Sequence, residues 1–196
     1  MPRVIAGKCG GIPLAAPKGE HTRPTTDKVK EALFSILQMR LPDADFLDLF
    51  AGSGQMGMEA VSRGARKAIL VDENSSSAAV ISANLTKTRL SQQITFVRRD
   101  VFRALHELGD KKEAFDIIFM DPPYVSAISF AGKAAEQICS NHLLKPGGLF
   151  IVEHAASDTP SENVMNLTLY RRCKYGATML TFYTTDAYYS GGTLNT

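Results

Sequence analysis

With 196 residues, 44% of them apolar and 21% charged, the chain suits a single α/β domain spanning 1–196 with a sizeable core. No apolar run approaches the roughly 20 residues that cross a bilayer, and no signal-peptide zones open the chain, so a cytoplasmic protein with no membrane partner is expected. Cys9, Cys139 and Cys173 are odd in number and lack C-x-x-C spacing, which argues against a disulfide framework or a zinc site and reads as small apolar filler.

The net charge of +2 is unevenly spread. Residues 1–30 carry Arg3, Lys8, Lys18, Arg23, Lys28 and Lys30 against Glu20 and Asp27. A basic leading segment on a nearly neutral body points towards phosphate-rich partners, although a solvated arm explains the charge equally well.

Residues 1–22, rich in Gly and Pro, predict a small basic extension, extended or hairpin-like. Thr25-Thr26-Asp27 then precede "KVKEALFSILQMRL", where Val29, Leu33, Ile36 and Leu37 share one helical face. Apolar runs suited to buried parallel strands follow at 46–50, 67–72, 94–98, 115–120 and 149–153. Helix-compatible stretches lie between them, near 55–63, 75–89, 101–109 and 127–142. This repeated βα order predicts a parallel sheet with helices on both faces. "KPGG" at 145–148 reads as a turn launching the fifth strand. Two strand-like runs meeting near Tyr175-Gly176 predict an antiparallel pair that closes the sheet, and residues 188–196 a loose tail.

The chemistry concentrates at strand ends. "DLFAGSGQMG" places Gly52, Gly54 and Gly57 in G-x-G-x-x-G spacing between a strand and a helix, where the backbone can turn tightly and approach a ligand. Asp72 closes the second strand, in position to accept ribose hydroxyls. Asp48, just before the loop, would repel a pyrophosphate but suits the ammonium and sulfonium of S-adenosylmethionine. Asp100, with the Val101 N–H beside it, can meet the adenine edge. Each acid alone could be a helix cap or a surface carboxylate. Three acids at the ends of three successive strands point to a ligand, because open α/β sheets bind there.

The fourth strand ends in Asp121-Pro122-Pro123-Tyr124. An exocyclic base amine is a poor nucleophile because its lone pair is delocalised into the ring. Two fixed acceptors, the Asp121 carboxylate and the Pro122 carbonyl, can draw it towards tetrahedral geometry. The prolines lock φ and bring no competing N–H, and Tyr124 offers a face for a flipped base. Neither a strong base nor a metal is required.

These motifs, with "RVIAGKCGGIPLAAP", "TRPTTDKVKEALFSIL" and "YGATMLTFY", resemble the bacterial small-subunit (16S) ribosomal RNA guanine-N2 methyltransferase family over nearly the whole chain. The resemblance implies the Rossmann-like S-adenosylmethionine-dependent methyltransferase fold, a mostly parallel seven-stranded sheet closed by the antiparallel C-terminal pair. It implies methyl transfer to a guanine of 16S ribosomal RNA, in the small subunit or an assembly intermediate. A monomer is expected. Phe50, Ala51 and Ser53 would line the cofactor with the glycines, and Arg23, Thr25 and Thr26 would close over its methionine end or the base. By composition alone, Thr26 is as good a helix cap. Arg3, Lys8, Arg23 and Lys28 would touch RNA. Asp72 stands where the family has glutamate. The rivals are a DNA adenine or cytosine amine methyltransferase, a protein glutamine methyltransferase, a nicotinamide enzyme, and a non-catalytic RNA-binding assembly factor.

Overall fold

A computed structural model describes residues 2–17, 26–123 and 126–185 of the chain. They fall in two compact units, Met1–Ala104 and Leu105–Thr196. Eight strands are assigned among the described residues, running β3-β2-β1 in the first unit and β4-β5-β8-β7-β6 in the second. No described helix is long and apolar enough to cross a membrane.

In the first unit, β1 (Asp45–Leu49), β2 (Lys67–Asp72) and β3 (Ile94–Arg98) are parallel neighbours, with Leu49 opposite Val71 and Asp72 opposite Arg98. All five residues of β1 are buried, as expected of a parallel strand covered on both faces. Helix α1 (Asp27–Ile36) starts where the Thr26 side chain accepts the Val29 N–H at 3.4 Å. It buries Val29, Leu33 and Phe34, and the Phe34 ring stacks on Phe46 with centroids 6.4 Å apart. The expected helix to Leu41 stops at Ile36 and tightens into a 3-10 turn at Gln38–Arg40.

Helix α2 (Gln55–Ser62) is buried along its whole length, with β1 and β2 on one side and the N-terminal extension against it. Helix α3 (Ser75–Thr88) and helix α4 (Val101–Asp110) follow β2 and β3. The extension is hairpin-like, as its composition suggests. The Val4 N–H donates to Ile12 O at 3.0 Å, the Leu14 N–H to Pro2 O at 2.8 Å, and Arg3 bridges Pro13. Its connecting 3-10 turn, Gly7–Cys9, lies so close to α2 that a Cβ on Gly7 would stand 1.9 Å from the Ser62 carbonyl oxygen. Only glycine, here at φ +80°, fits that approach.

In the second unit, β4 (Phe115–Met120) pairs parallel with β5 (Leu144–Ala155), and β5 pairs antiparallel with β8 (Thr178–Thr184). Strand β7 (Leu167–Tyr175) pairs antiparallel with β8 and with the two-residue β6 (Asn163–Val164), which makes an eighth strand beyond the seven expected. Helix α5 (Ala127–Ser140) lays Ala127, Ala131, Ala134, Ala135 and Ile138 inward against β5. "KPGG" is not the turn its composition suggested. Strand β5 already begins at Leu144, opposite Phe115, and pairing resumes at Ile117 with Leu149, so the segment is a bulge inside the strand. His154 is fully buried, its Nε2 2.7 Å from the Thr181 hydroxyl, and burial lowers its pKa.

Candidate functional site

The first unit brings Asp48, the glycine loop, Asp72, Asp100 and Val101 to the C-terminal ends of three adjacent parallel strands. Strand β1 stops at Leu49, one residue earlier than its apolar run suggests. Phe50 has φ +65°, a left-handed backbone that non-glycine residues avoid. Such a residue at a strand end turns the chain sharply into the loop, at a cost the surrounding bonds must offset.

Those bonds hold the inner side of the loop. The Ala51 N–H donates to Val71 O at 2.9 Å, and the Gly52 N–H to Asp72 Oδ2 at 2.8 Å. Asp72 Oδ1 also accepts the Asn74 N–H at 2.9 Å. The Ser53 carbonyl accepts from the buried Asn84 amide at 2.9 Å. Gly54, at φ +77°, is the N-cap of α2. Its partner glycines differ in purpose. A Cβ on Gly57 would meet Leu70 Cδ2 at 2.2 Å, so Gly57 permits close packing of α2 on β2. A Cβ on Gly52, at φ +54°, would meet nothing within 4 Å. The crest of the loop therefore faces open space, with the N-terminus of α2 behind it.

The acids are more deeply engaged than their positions in the sequence suggest. Asp48 is 1% exposed and accepts the Gly57 N–H at 3.2 Å. Burial drives its pKa up to about 8; the Gly57 hydrogen bond opposes this and the charge of Asp72 adds to it. Asp72 is buried and braces the loop through Gly52 while retaining lone pairs for a further donor. Asp100 caps α4, its Oδ1 accepting the Arg103 N–H at 3.0 Å. Val101 is buried at the start of that helix.

In the second unit, Asp121 follows the last residue of β4 and is half-buried, Pro122 is buried and Pro123 is exposed. Ser126 closes this turn on the Pro123 carbonyl, through its N–H at 3.0 Å and its hydroxyl at 3.2 Å. Arg23, Thr25 and Tyr124 lie outside the described residues, as do Lys18 and the tail at 188–196. Thr26 is the cap of α1.

The basic segment is only partly a free surface. Arg3 Nε pairs with Asp27 at 3.0 Å, and Lys8 Nζ bonds the Gln93 side chain. Lys28 is exposed. Lys30, counted with the surface cations on charge alone, is fully buried: its Nζ donates to Arg3 O at 2.5 Å and to Gln55 Oε1 at 3.1 Å. Sequence reasoning missed this residue, Glu59 and Asn84, all buried and polar, because each stands at an inward helical position normally held by an apolar side chain.

A family model described as conserved hypothetical protein 95 matches residues 2–184. The Bacillus subtilis (strain 168) protein YlbH is 36% identical over 181 residues, which cover 92% of this chain and 97% of YlbH. Ribosomal RNA small subunit methyltransferase D of Haemophilus influenzae is 34% identical over 167 residues, 85% of each chain. This chain belongs to that ribosomal RNA methyltransferase family. The solved structure of Escherichia coli yhhF matches it with a TM-score of 0.81 and 31% identity, covering 94% of this chain and 98% of the other. The methyltransferase fold implied by the sequence is therefore the fold of this family member, a mostly parallel sheet with antiparallel C-terminal strands.

Proposed function

We propose that this family member transfers a methyl group from S-adenosylmethionine to the N2 amine of a guanine in 16S ribosomal RNA. The observation that carries the reading is the glycine loop, fastened on its inner side by Asp72 and Asn84, with the Gly52 crest open. The names of the relatives support ribosomal RNA as substrate. The substrate is the small ribosomal subunit or an assembly intermediate, and the compartment this implies is the cytoplasm.

Asp48 would hold the cofactor's ammonium and Asp72 its ribose. Phe50, Ala51 and Ser53 line the same bend with Gly52 and Gly54. Asp100 and the Val101 N–H serve the adenine edge; the Asp100 carboxylate that caps α4 keeps one oxygen for it. At the acceptor, Asp121 and the Pro122 carbonyl each accept one hydrogen of the N2 amine, freeing its lone pair. The N–CH₃ bond forms as the S–CH₃ bond breaks, leaving S-adenosylhomocysteine. The amine becomes acidic only once methylated, so Asp121 or water then takes its proton. The proposed reaction assigns Tyr124 to the base and Arg23 with Thr25 to the reacting ends. Thr26 contributes through its helix cap.

The test uses tritiated S-adenosylmethionine with small subunits from a strain lacking this gene, followed by nucleoside analysis. A single labelled N2-methylguanosine is expected. Label in adenosine or cytidine instead would replace the guanine, and absence of label in RNA would send the search to DNA and protein amines.

A further inference from the structure

The N-terminal extension and the cofactor loop share a set of buried polar contacts. Asn84 lies in α3 and is 1% exposed. Its Nδ2 donates both to Ser53 O, at 2.9 Å, and to Ala15 O, at 3.0 Å. Its Oδ1 accepts the Ala15 N–H at 2.8 Å. Both amide hydrogens are thus used, and the two bonds to Ala15 fix the plane of the amide. A rotated amide would present its oxygen to the Ser53 carbonyl, two acceptors facing each other in a buried site. The extension therefore determines which group meets the loop.

A second contact reaches the other side of Gly54, at Gln55. Lys30 Nζ, fully buried, joins Arg3 O to the Gln55 side chain at the first residue of α2. Both strands of the extension, through Arg3 and through Ala15, are thereby tied to residues flanking Gly54. A Cβ on Gly52 would meet nothing within 4 Å, so the loop keeps free space beside these contacts.

We infer that Asn84 is a positioning residue for the cofactor loop, and that residues 2–17 act through it as part of the cofactor site. Asn84 touches neither cofactor nor base. It holds the Ser53 carbonyl back, so that the Gly52–Gly54 backbone keeps the bend that accepts the cofactor's methionine end. This rests on the reading of the loop as an S-adenosylmethionine site.

The experiment compares the full-length wild type with Asn84→Ala and, as a control, Thr88→Val. Thr88 is buried one turn further along α3, and its hydroxyl bonds Asn84 O and Leu85 O without reaching the loop. Binding of S-adenosylmethionine to the wild type is measured first by calorimetry; no binding there would end the loop reading itself. With binding established, Asn84→Ala should raise the KM for S-adenosylmethionine roughly five- to tenfold, the fold-change of about one buried hydrogen bond. Its kcat at saturating cofactor and its KM for small subunits should stay within about twofold of wild type. Thr88→Val should lower the melting temperature without moving the cofactor KM. Where Asn84→Ala fails to fold, Asn84→Asp, which keeps the shape and the acceptor for Ala15 but loses both donors, is read in its place. Equal cofactor KM in wild type and the Asn84 variant, or equal changes in both KM values, would overturn the assignment.

Discussion

Asp48 is a carboxylate with almost no water around it, one hydrogen bond from Gly57, and a second acid nearby. Its folded pKa, about 8, stands above the ordinary 3.8, so ionisation opposes folding. The stability it contributes is complete below the ordinary value and is lost as pH rises through about 8. Asp48→Asn keeps an acceptor for Gly57 and cannot ionise. The melting temperature of the wild type should therefore fall relative to the variant between about pH 4 and pH 8, and parallel curves would show that Asp48 does not titrate there. A bound ammonium reverses the preference for the neutral form. Wild-type affinity for S-adenosylmethionine should accordingly rise with pH towards about 8, while Asp48→Asn, which cannot ionise, should show no such rise and bind more weakly at the upper end. At the acceptor end, Asp121→Ala should lower kcat by about two to three orders of magnitude, as losing one aligned group from a reacting centre does. Its cofactor Kd should change little; an active variant would rule out the acceptor model. At this scale the sequence showed which acids stand at strand ends, but not how far they are buried. Phe50 illustrates the limit, since an apolar residue after an apolar strand carries no mark of its left-handed backbone.

The strands and helices were largely legible because buried parallel strands are short apolar runs and most of the helices are amphipathic. What escaped was contact between distant segments. "KPGG" has turn composition, yet pairing on both sides of it keeps it within β5 as a bulge. The extension has no apolar period, so nothing in its residues shows that it docks on α2. It docks through polar groups as well as through the buried Val4, Cys9 and Leu14. Glu59, fully buried, accepts the Ile5 N–H at 2.6 Å and the Ala6 N–H at 3.0 Å, and pairs with Arg63 at 2.6 Å. Ser62 Oγ accepts the Cys9 N–H and donates to Ala6 O. Cys9 itself is the buried filler expected, whereas Cys139 and Cys173 are only half-buried. Removing one member of such a buried set leaves its partners unpaired. Glu59→Ala should cost about 3–5 kcal/mol in urea unfolding, the range for breaking a buried ion pair. Glu59→Gln, which keeps an acceptor, should cost less. A loss below about 1 kcal/mol for Glu59→Ala would mean that the extension is not held by this carboxylate.

Over the whole molecule, the net charge of +2 hides a division of labour among the leading cations. Lys30 is structural, and Arg3 and Lys8 are each engaged with a neighbour, although Arg3 remains 58% exposed beside Asp27. Only part of the sequence-level charge is therefore available to phosphates. Each cation that displaces a counterion steepens the dependence of RNA affinity on salt by about 0.7 for single strands, so three free cations would contribute about 2 to the slope. Arg3 and Lys8 must first exchange Asp27 and Gln93 for phosphate, which reduces the gain in affinity but not the number of ions released. Neutralising Arg3, Lys8 and Lys28 together should thus flatten the slope by up to about 2 while weakening binding less than three free cations would. Lys28→Ala alone should account for the largest single share of the lost affinity, because Lys28 is exposed. Filter binding of small-subunit RNA at several salt concentrations measures both quantities. An unchanged slope in the triple variant would make the extension a brace for the cofactor loop and nothing more, with the RNA held by other surfaces of the protein.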